Sequence, residues 1–190
     1  MNILRLHLHF APKSVKVKAY LETVRPLVEY SSACWSPSSQ LLSHQLEMIQ
    51  HSAAKFATNC YPRKESSNDF SVSSLLESLG WESLETRREQ ARLTMAFKIL
   101  NDLVILDKDA LQRKHRDRPS RACSDVLVGP LHQLEEPIAR VTSVQNTFFY
   151  AVPKLWNNKV KPEQAAATSV LSFKRYFTSS KHKVVSYPNA

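Results

Sequence analysis

The chain has 190 residues, of which 43% are hydrophobic, and this is enough to build a folded core. It carries 26 Lys and Arg residues against 17 Asp and Glu residues, a net charge of +9, which favours a polyanionic partner such as nucleic acid. Only two glycines are present, too few for Gly-rich phosphate-binding loops, which argues against the nucleotide-binding α/β folds.

The cysteine pattern and the N-terminus indicate the compartment. Cys34, Cys60 and Cys123 are widely spaced and form no C-x-x-C pair, so we expect free thiols in a reducing environment. The apolar N-terminal stretch is interrupted by Arg5 and two histidines, and it is too short and too polar for a signal peptide or a membrane span. We therefore expect an intracellular protein, nuclear or cytoplasmic, that is not secreted and has no membrane partner.

The first part of the chain predicts helices. Residues 14–30 fit two short helices that meet near Arg25, because the proline that follows it prevents one uninterrupted helix. A longer amphipathic helix is predicted between Leu41 and Ala57, with Ser38 or Ser39 as its N-cap.

A loop is predicted at residues 61–69, followed by a short helix that Ser71 or Ser73 caps and Gly80 ends. The strongest helical pattern begins after Ser83. Its apolar stripe consists of Leu84, Ala91, Met95, Ile99 and Leu103. We expect the basic residues of this helix to face mostly away from the stripe.

Composition changes after Asp107. Residues 112–121 form a basic run that predicts a linker, because it contains few apolar residues and a proline that ends any helix. Beyond it, short strands are predicted at 126–128, 138–144 and 147–152, and helices at 153–159 and 169–179. The predicted fold is mainly α. It consists of a helical bundle (1–106), a basic linker (107–125) and a small mixed C-terminal region of short strands and helices (126–190).

No metal site or catalytic centre is predicted. His44 and His51, flanked by Cys34 and Cys60, match no zinc-ligand spacing. The sequence has neither a G-x-S-x-G nor an H-E-x-x-H motif, and its acidic pairs lie in loop-like contexts that do not suit two-metal phosphoryl transfer. We therefore predict no enzymatic activity and no cofactor.

The basic and aromatic residues each allow two interpretations. Arg87, Arg88 and Arg92 form either a positive strip for nucleic acid or an exposed face that pairs with Glu85 and Glu89. The basic run either contacts phosphates or acts as a nuclear-import signal, or is a solvated linker. For the aromatic residues we favour packing over base stacking. These residues are Trp35, Trp81, Trp156 and the Phe148-Phe149-Tyr150 stretch.

Six sequence blocks occur in the order found in one family of polymerases. They are Ala11–Lys16 with Lys18–Leu21 and Val24–Tyr30, Trp35–Pro37, Leu46–Phe56, Leu79–Leu93, Phe148-Phe149 with Pro153–Asn157, and Ser172–Lys174. With these blocks the chain resembles the thumb and post-thumb region of reverse transcriptases from non-LTR (LINE-type) retrotransposons of the jockey and CR1 kind. It departs from that pattern at Lys159-Val160, where the family usually continues Trp-Asn-x-Leu-Pro.

The resemblance implies a helical thumb-like bundle that holds the template–primer duplex. It also implies that the endonuclease, the fingers and the palm with its metal-binding aspartates lie upstream, so the catalytic activity is not transferred. The implied partners are an RNA or RNA–DNA duplex and the upstream polymerase domains. The residues that we predict to contact nucleic acid are Lys13, Lys16, Lys18, Arg25, Arg87, Arg88, Arg92, Arg113, Lys114 and Arg116. Two alternatives stay open. One is a truncated, non-functional relic, and the other is a co-opted protein-interaction module that docks through the stripe of Leu84, Ala91, Met95 and Ile99.

Overall fold

The computed structural model describes residues 1–37, 39–61, 71–106, 111 and 133–179, and these ranges are mainly helical, which confirms the predicted mainly α fold. The helices are α1 (Asn2–His7), α2 (Lys13–Ala19), α3 (Arg25–Glu29), α4 (Gln40–Thr58), α5 (Val72–Ser78), α6 (Leu84–Leu100), α7 (Thr142–Gln145), α8 (Phe148–Lys159), α9 (Pro162–Ala165) and α10 (Val170–Ser179). Unit 1 is a compact unit of Met1–Ser32 and Ser36–Arg88, and unit 2 consists of Ala33–Trp35 and Glu89–Ala190.

A π-helical segment, Tyr20–Val24, joins α2 to α3 without a break. The helix α3 begins at Arg25, as the sequence predicts, but the two helices form one continuous run. Pro26 has no amide N–H and its ring clashes with the preceding turn of a regular α-helix. Just before it, the N–H of Arg25 donates to the carbonyl of Tyr20, five residues back. This wider turn accommodates the proline within the helical run.

The ends of α4 and α5 follow the predicted capping residues. Ser39 Oγ accepts a hydrogen bond of 3.2 Å from the third helical N–H of α4, and Ser71 Oγ accepts one of 3.2 Å from the first turn of α5. Gly80 then ends α5 with a φ of 65°, and the N–H of Trp81 donates to the carbonyl of Leu76 at 2.8 Å. This C-terminal motif turns Trp81 back toward the helix that precedes it.

Small residues of α4 and two aromatic rings form the core of unit 1. The α4 residues are Ala53, Ala54 and Ala57, all at most 1% exposed. The rings of Tyr20 and Trp81 stack with centroids 4.7 Å apart. Tyr20 is completely buried, and this burial raises the pKa of its phenol, whose hydroxyl donates to Gln50 Oε1 at 3.3 Å. The alanines leave room for the rings, so α4 packs closely against α2 and α5.

A stack of aromatic rings lies in the core of unit 2. The ring of Phe173 lies between Phe97 and Trp156, at centroid distances of 4.5 Å and 5.7 Å. Leu111 and Leu134 are also buried in this cluster, 3% and 1% exposed. The C-terminal helices α8 and α10 therefore share one apolar core with the second half of α6.

The C-terminal region is helical where the sequence predicts strands. The strands predicted at 138–144 and 147–152 are wrong, because residues 138–141 form no strand, α7 occupies 142–144 and α8 occupies 148–152. Phe148, Val152 and Trp156 recur every four residues, so they lie on one helical face and are buried together. The helices predicted at 153–159 and 169–179 are confirmed, although α8 begins at Phe148 and continues through a proline. The strand predicted at 126–128 and all of the predicted linker except Leu111 lie outside the described residues, and the predicted domain boundaries stay a prediction.

Candidate nucleic-acid interface

Two of the predicted contact residues, Lys13 and Lys18, project from α2 into solvent. Lys18 Nζ lies 3.9 Å from Glu22 Oε1, but the two side chains are 75% and 63% exposed. Such a solvated ion pair is weak and competes little with a phosphate. Both ammonium groups are therefore accessible to an anionic partner.

Lys16, on the same helix, is buried. Its side chain is 1% exposed, and its Nζ donates to Asn59 Oδ1 at 2.6 Å. The ammonium also lies 5.0 Å from the centroid of the Phe56 ring, a cation–π contact. The Lys16 ammonium makes its contacts between α2 and α4, so Lys16 is not part of the basic surface.

Arg87 and Arg25 share one carboxylate. Arg87 Nε and Nη2 donate to the two oxygens of Glu29, the second at 2.9 Å, and Arg25 Nε lies 3.7 Å from Glu29 Oε1. The hydrogen bonds that Arg87 donates to Glu29 raise the pKa of Arg87, whereas burial, and then the charge of Arg87, lower the pKa of Arg25. The Glu29 side chain is only 21% exposed. This cluster neutralises one of the two guanidinium charges inside unit 1.

Arg88 and Arg92 are buried, 3% and 7% exposed. Arg88 Nη2 donates to Ser43 Oγ at 3.3 Å, while its Nε and Nη1 have no hydrogen-bond partner among the described residues. Arg92 Nη2 donates to the backbone carbonyl of Asn146 at 3.2 Å. The predicted strip of three arginines is therefore not a surface strip, and neither is it an exposed face paired with acidic neighbours.

The spacing of these arginines explains their burial. Arg88 and Arg92 follow Leu84 by four and eight residues, which places them about 40° and about 80° around the helix from it. They lie on the side of α6 that carries the buried Leu84 and Ile99. Glu89, one of the two acidic residues expected to pair with these arginines, pairs with Lys159 instead.

The N-terminus of α6 is closed to anions by a side chain of α4. The carboxylate of Glu47 accepts hydrogen bonds from the N–H groups of Leu84 at 3.2 Å and Glu85 at 2.8 Å. Ser83 Oγ accepts a third, from Thr86, at 3.1 Å. Helix N-termini attract phosphate through free N–H groups. Here the N–H groups of Leu84, Glu85 and Thr86 are already bonded, so this helix end is a poor phosphate site.

The sequence prediction omitted several basic residues of unit 2 that are exposed. They are Lys154 of α8, Lys161 before α9, and Lys174 and Arg175 of α10. A signal was present, since Lys154 lies between the buried Val152 and Trp156 on a four-residue repeat.

The three tryptophans differ in exposure. Trp81 and Trp156 are buried as predicted, but Trp35 is 37% exposed, so its assignment to the core is wrong.

In the ranges that the structure describes, no three His, Cys, Asp or Glu side chains come together as metal ligands would. Burial lowers the pKa of His51, against an opposing effect of Glu47.

The basic run with Arg113, Lys114 and Arg116 lies outside the described residues. No helix of the described ranges combines the length and the apolar character needed to cross a bilayer. Comparisons with models of known protein families, with curated proteins and with solved structures find no match to this chain.

Proposed function

We propose that this chain is a non-catalytic module that binds the phosphate backbone of an RNA–DNA or RNA duplex without reading its sequence. In this proposal it is a fragment of a transposable-element protein, similar to the thumb and post-thumb region of a non-LTR retrotransposon reverse transcriptase. The observation that supports it best is the net charge of +9 on a mainly helical chain. Binding through counterion release needs positive charge in solvent and no base contacts.

The exposure of the basic residues reduces the set that we propose to contact nucleic acid. Lys13 and Lys18 are its exposed members on α2, and Arg113, Lys114 and Arg116 extend it as a sequence-based prediction. The other predicted contact residues are either excluded from the proposed surface or expected to contribute less to binding. Lys16, Arg88 and Arg92 are buried, Arg87 is paired with Glu29, and Arg25 is partly buried beside the same carboxylate.

The test is fluorescence anisotropy of a labelled RNA–DNA hybrid in a salt titration of the purified chain. If about four phosphates are neutralised, the logarithm of the binding constant falls against the logarithm of salt concentration with a slope of about −3 to −4. The Lys13→Glu/Lys18→Glu variant is expected to bind more weakly and to lower that slope by about 2. Absence of binding at low salt, or a flat salt dependence, would refute the proposal.

A matched control separates a local surface from net charge. Lys154→Glu/Lys174→Glu changes the charge by the same amount at exposed positions of unit 2. If this pair weakens binding as much as the α2 pair, the α2 surface is not the binding site. Charge reversal at Arg87 and Arg88 is a poor test, because it breaks the Glu29 pair and places a carboxylate in a buried position.

A second candidate function is protein contact, and one observation favours it. Unit 1 has an apolar groove of about 450 Å³ whose lining includes Leu27 and Met48, 76% and 45% exposed. In the family that the chain resembles, a palm domain precedes the thumb, and we propose that domain as the occupant. The groove is better suited to docking than the stripe of Leu84, Ala91, Met95 and Ile99, since Leu84 and Ile99 are at most 1% exposed.

Co-purification with a separately expressed palm domain of a jockey-type polymerase tests this second candidate. Leu27→Lys and Met48→Lys should abolish the capture, while Leu41→Lys, at a position 67% exposed outside the groove lining, should not. Failure of the unmodified chain to capture the palm domain would remove the candidate.

A further inference from the structure

Residues 133–139 of unit 2 form a non-helical stretch, the Leu134 segment, whose far end is held by a hydrogen bond of 2.7 Å from Gln145 Nε2 to the Ala139 carbonyl. The Leu134 side chain is 1% exposed and belongs to the cluster of Trp156 and Phe173. Its neighbours are different: Glu135 and Glu136 are exposed, and Ile138 is 95% exposed. The segment therefore inserts a single leucine into the helical unit.

One side chain of α8 holds the backbone of that leucine. Asn157 Oδ1 accepts from the N–H of Leu134 at 2.8 Å, and Asn157 Nδ2 donates to the Leu134 carbonyl at 2.9 Å. The same Nδ2 donates to Glu136 Oε1 at 2.8 Å. A carboxamide has one acceptor and two N–H donors, so here it reproduces the paired hydrogen bonds that a neighbouring β-strand would make.

Three contacts hold the segment. The Leu134 side chain lies in the apolar cluster of Trp156 and Phe173, here called the Leu134 pocket, the carboxamide pairs with the extended backbone, and its second N–H donates to a carboxylate two residues later. A peptide with the pattern Leu-x-Glu would satisfy all three contacts. Where proteins bind extended peptides, backbone hydrogen bonds commonly give affinity and pockets for side chains give specificity.

Among its described residues, the segment buries much less apolar side chain than the helices around it. Ordering each residue of a chain costs conformational entropy, and burial of one leucine offsets this for only a few residues. In residues 133–138 only Leu134 is fully buried. By contrast α8 buries Phe148, Val152 and Trp156 on one face. We expect the Leu134 segment to open far more often than unit 2 unfolds.

We propose that Asn157 and the Leu134 pocket form a peptide-binding site. The Leu134 segment occupies this site as a built-in competitor, and an extended Leu-x-Glu peptide of a protein partner takes its place. The segment lowers the apparent affinity for that partner, because only the open fraction of the chain is competent to bind.

The test uses the labelled peptide Gln-Leu-Glu-Glu-Pro-Ile, the sequence of residues 133–138, added to the full chain. Leu134→Ala weakens the resident segment and leaves Asn157 and the pocket in place. If the segment is open in about one chain in ten or fewer, this variant binds the peptide about tenfold or more tightly than the unmodified chain. Leu134→Ala/Asn157→Ala should lose the peptide, and so should the same peptide with alanine in place of leucine. A folded Leu134→Ala variant that does not bind the peptide overturns the proposal.

Hydrogen exchange of the unmodified chain decides the matter if the variants do not fold. The Leu134 amide should exchange at least about a hundredfold faster than the amides of Val152 and Trp156. Exchange of all three at one rate would show that the segment opens only when unit 2 unfolds, which also overturns the proposal. Dimers of the unmodified chain in light scattering, lost in Asn157→Ala, would assign the site to a second copy instead of a partner.

Discussion

Replacing Glu29 by glutamine removes the negative charge that two arginines share. Glutamine keeps the size of the side chain and can still accept one hydrogen bond from Arg87. It leaves Arg25 and Arg87 as neighbouring cations, each of which was within 4 Å of the same carboxylate. The expected result is a loss of stability in unit 1, because α3 and the start of α6 are joined through this carboxylate.

The magnitude follows from the burial of the pair. Removing one partner of a fully buried ion pair costs about 3–5 kcal/mol, whereas an exposed pair contributes about 0–1 kcal/mol. The side chains of Arg87 and Glu29 are 30% and 21% exposed, which is closer to the buried limit but still hydrated. We therefore expect Glu29→Gln to lower the free energy of unfolding of unit 1 by about 2 kcal/mol.

Hydrogen exchange of the α4 amides measures this free energy directly, since Ala53, Ala54 and Ala57 lie in the core of unit 1. Glu22→Gln is the matched control, because Glu22 pairs with Lys18 in solvent and should change stability by at most about 0.5 kcal/mol. If Glu29→Gln is no more destabilising than this control, the shared carboxylate does not hold the unit together and the reasoning fails.

Three further predictions concern other parts of the chain. Since burial lowers the pKa of His51 below that of the unfolded chain, the unfolded state binds more protons near pH 6, and stability should fall from about pH 7.5 to about pH 5.5. His51→Gln should reduce this loss in urea unfolding at both pH values, and an unchanged loss would contradict it. Phe173→Ala removes the completely buried ring beside Trp156 and should cost about 3–5 kcal/mol in thermal unfolding. Lys16→Met should leave the affinity for the RNA–DNA hybrid within about twofold, because the ammonium does not reach solvent, and a large loss would show that Lys16 contacts phosphate.

Helix positions are predictable from this sequence where local signals agree. The helix α4 begins after a serine cap, and α5 ends just before Gly80, as the sequence indicates. Ser83 marks the start of α6 in the same way. Each of these signals acts within about one helical turn, so it does not depend on the rest of the chain.

The C-terminal region is harder to predict because its signals conflict. The stretch from Phe148 to Val152 is rich in aromatic and β-branched residues, which favour strands. The four-residue spacing of Phe148, Val152 and Trp156 favours a helix, and this spacing determines the structure because it places all three in one core. Residue type alone does not distinguish the two in a window this short.

Prediction of the candidate site from the sequence fails for a different reason. Arginines are usually exposed, yet Arg88 and Arg92 lie on the buried face of α6. Helical geometry already places them within about 80° of Leu84, so their direction was predictable. The partner of Arg87 was not, since Glu29 precedes it by 58 residues and only tertiary structure brings the two together.

The cap that Glu47 provides makes the first turn of α6 a product of distant sequence. Its hydrogen bonds to Leu84 and Glu85 span 37 and 38 residues, so a peptide of α6 alone would lack them. Closing so long a loop is a non-local step that helix propensity cannot accelerate. Because a ribosome makes a chain from its N-terminus, the acceptor on α4 is always synthesised before the donors that need it. The Glu47 carboxylate is therefore already present when the N–H groups of Leu84 and Glu85 are made.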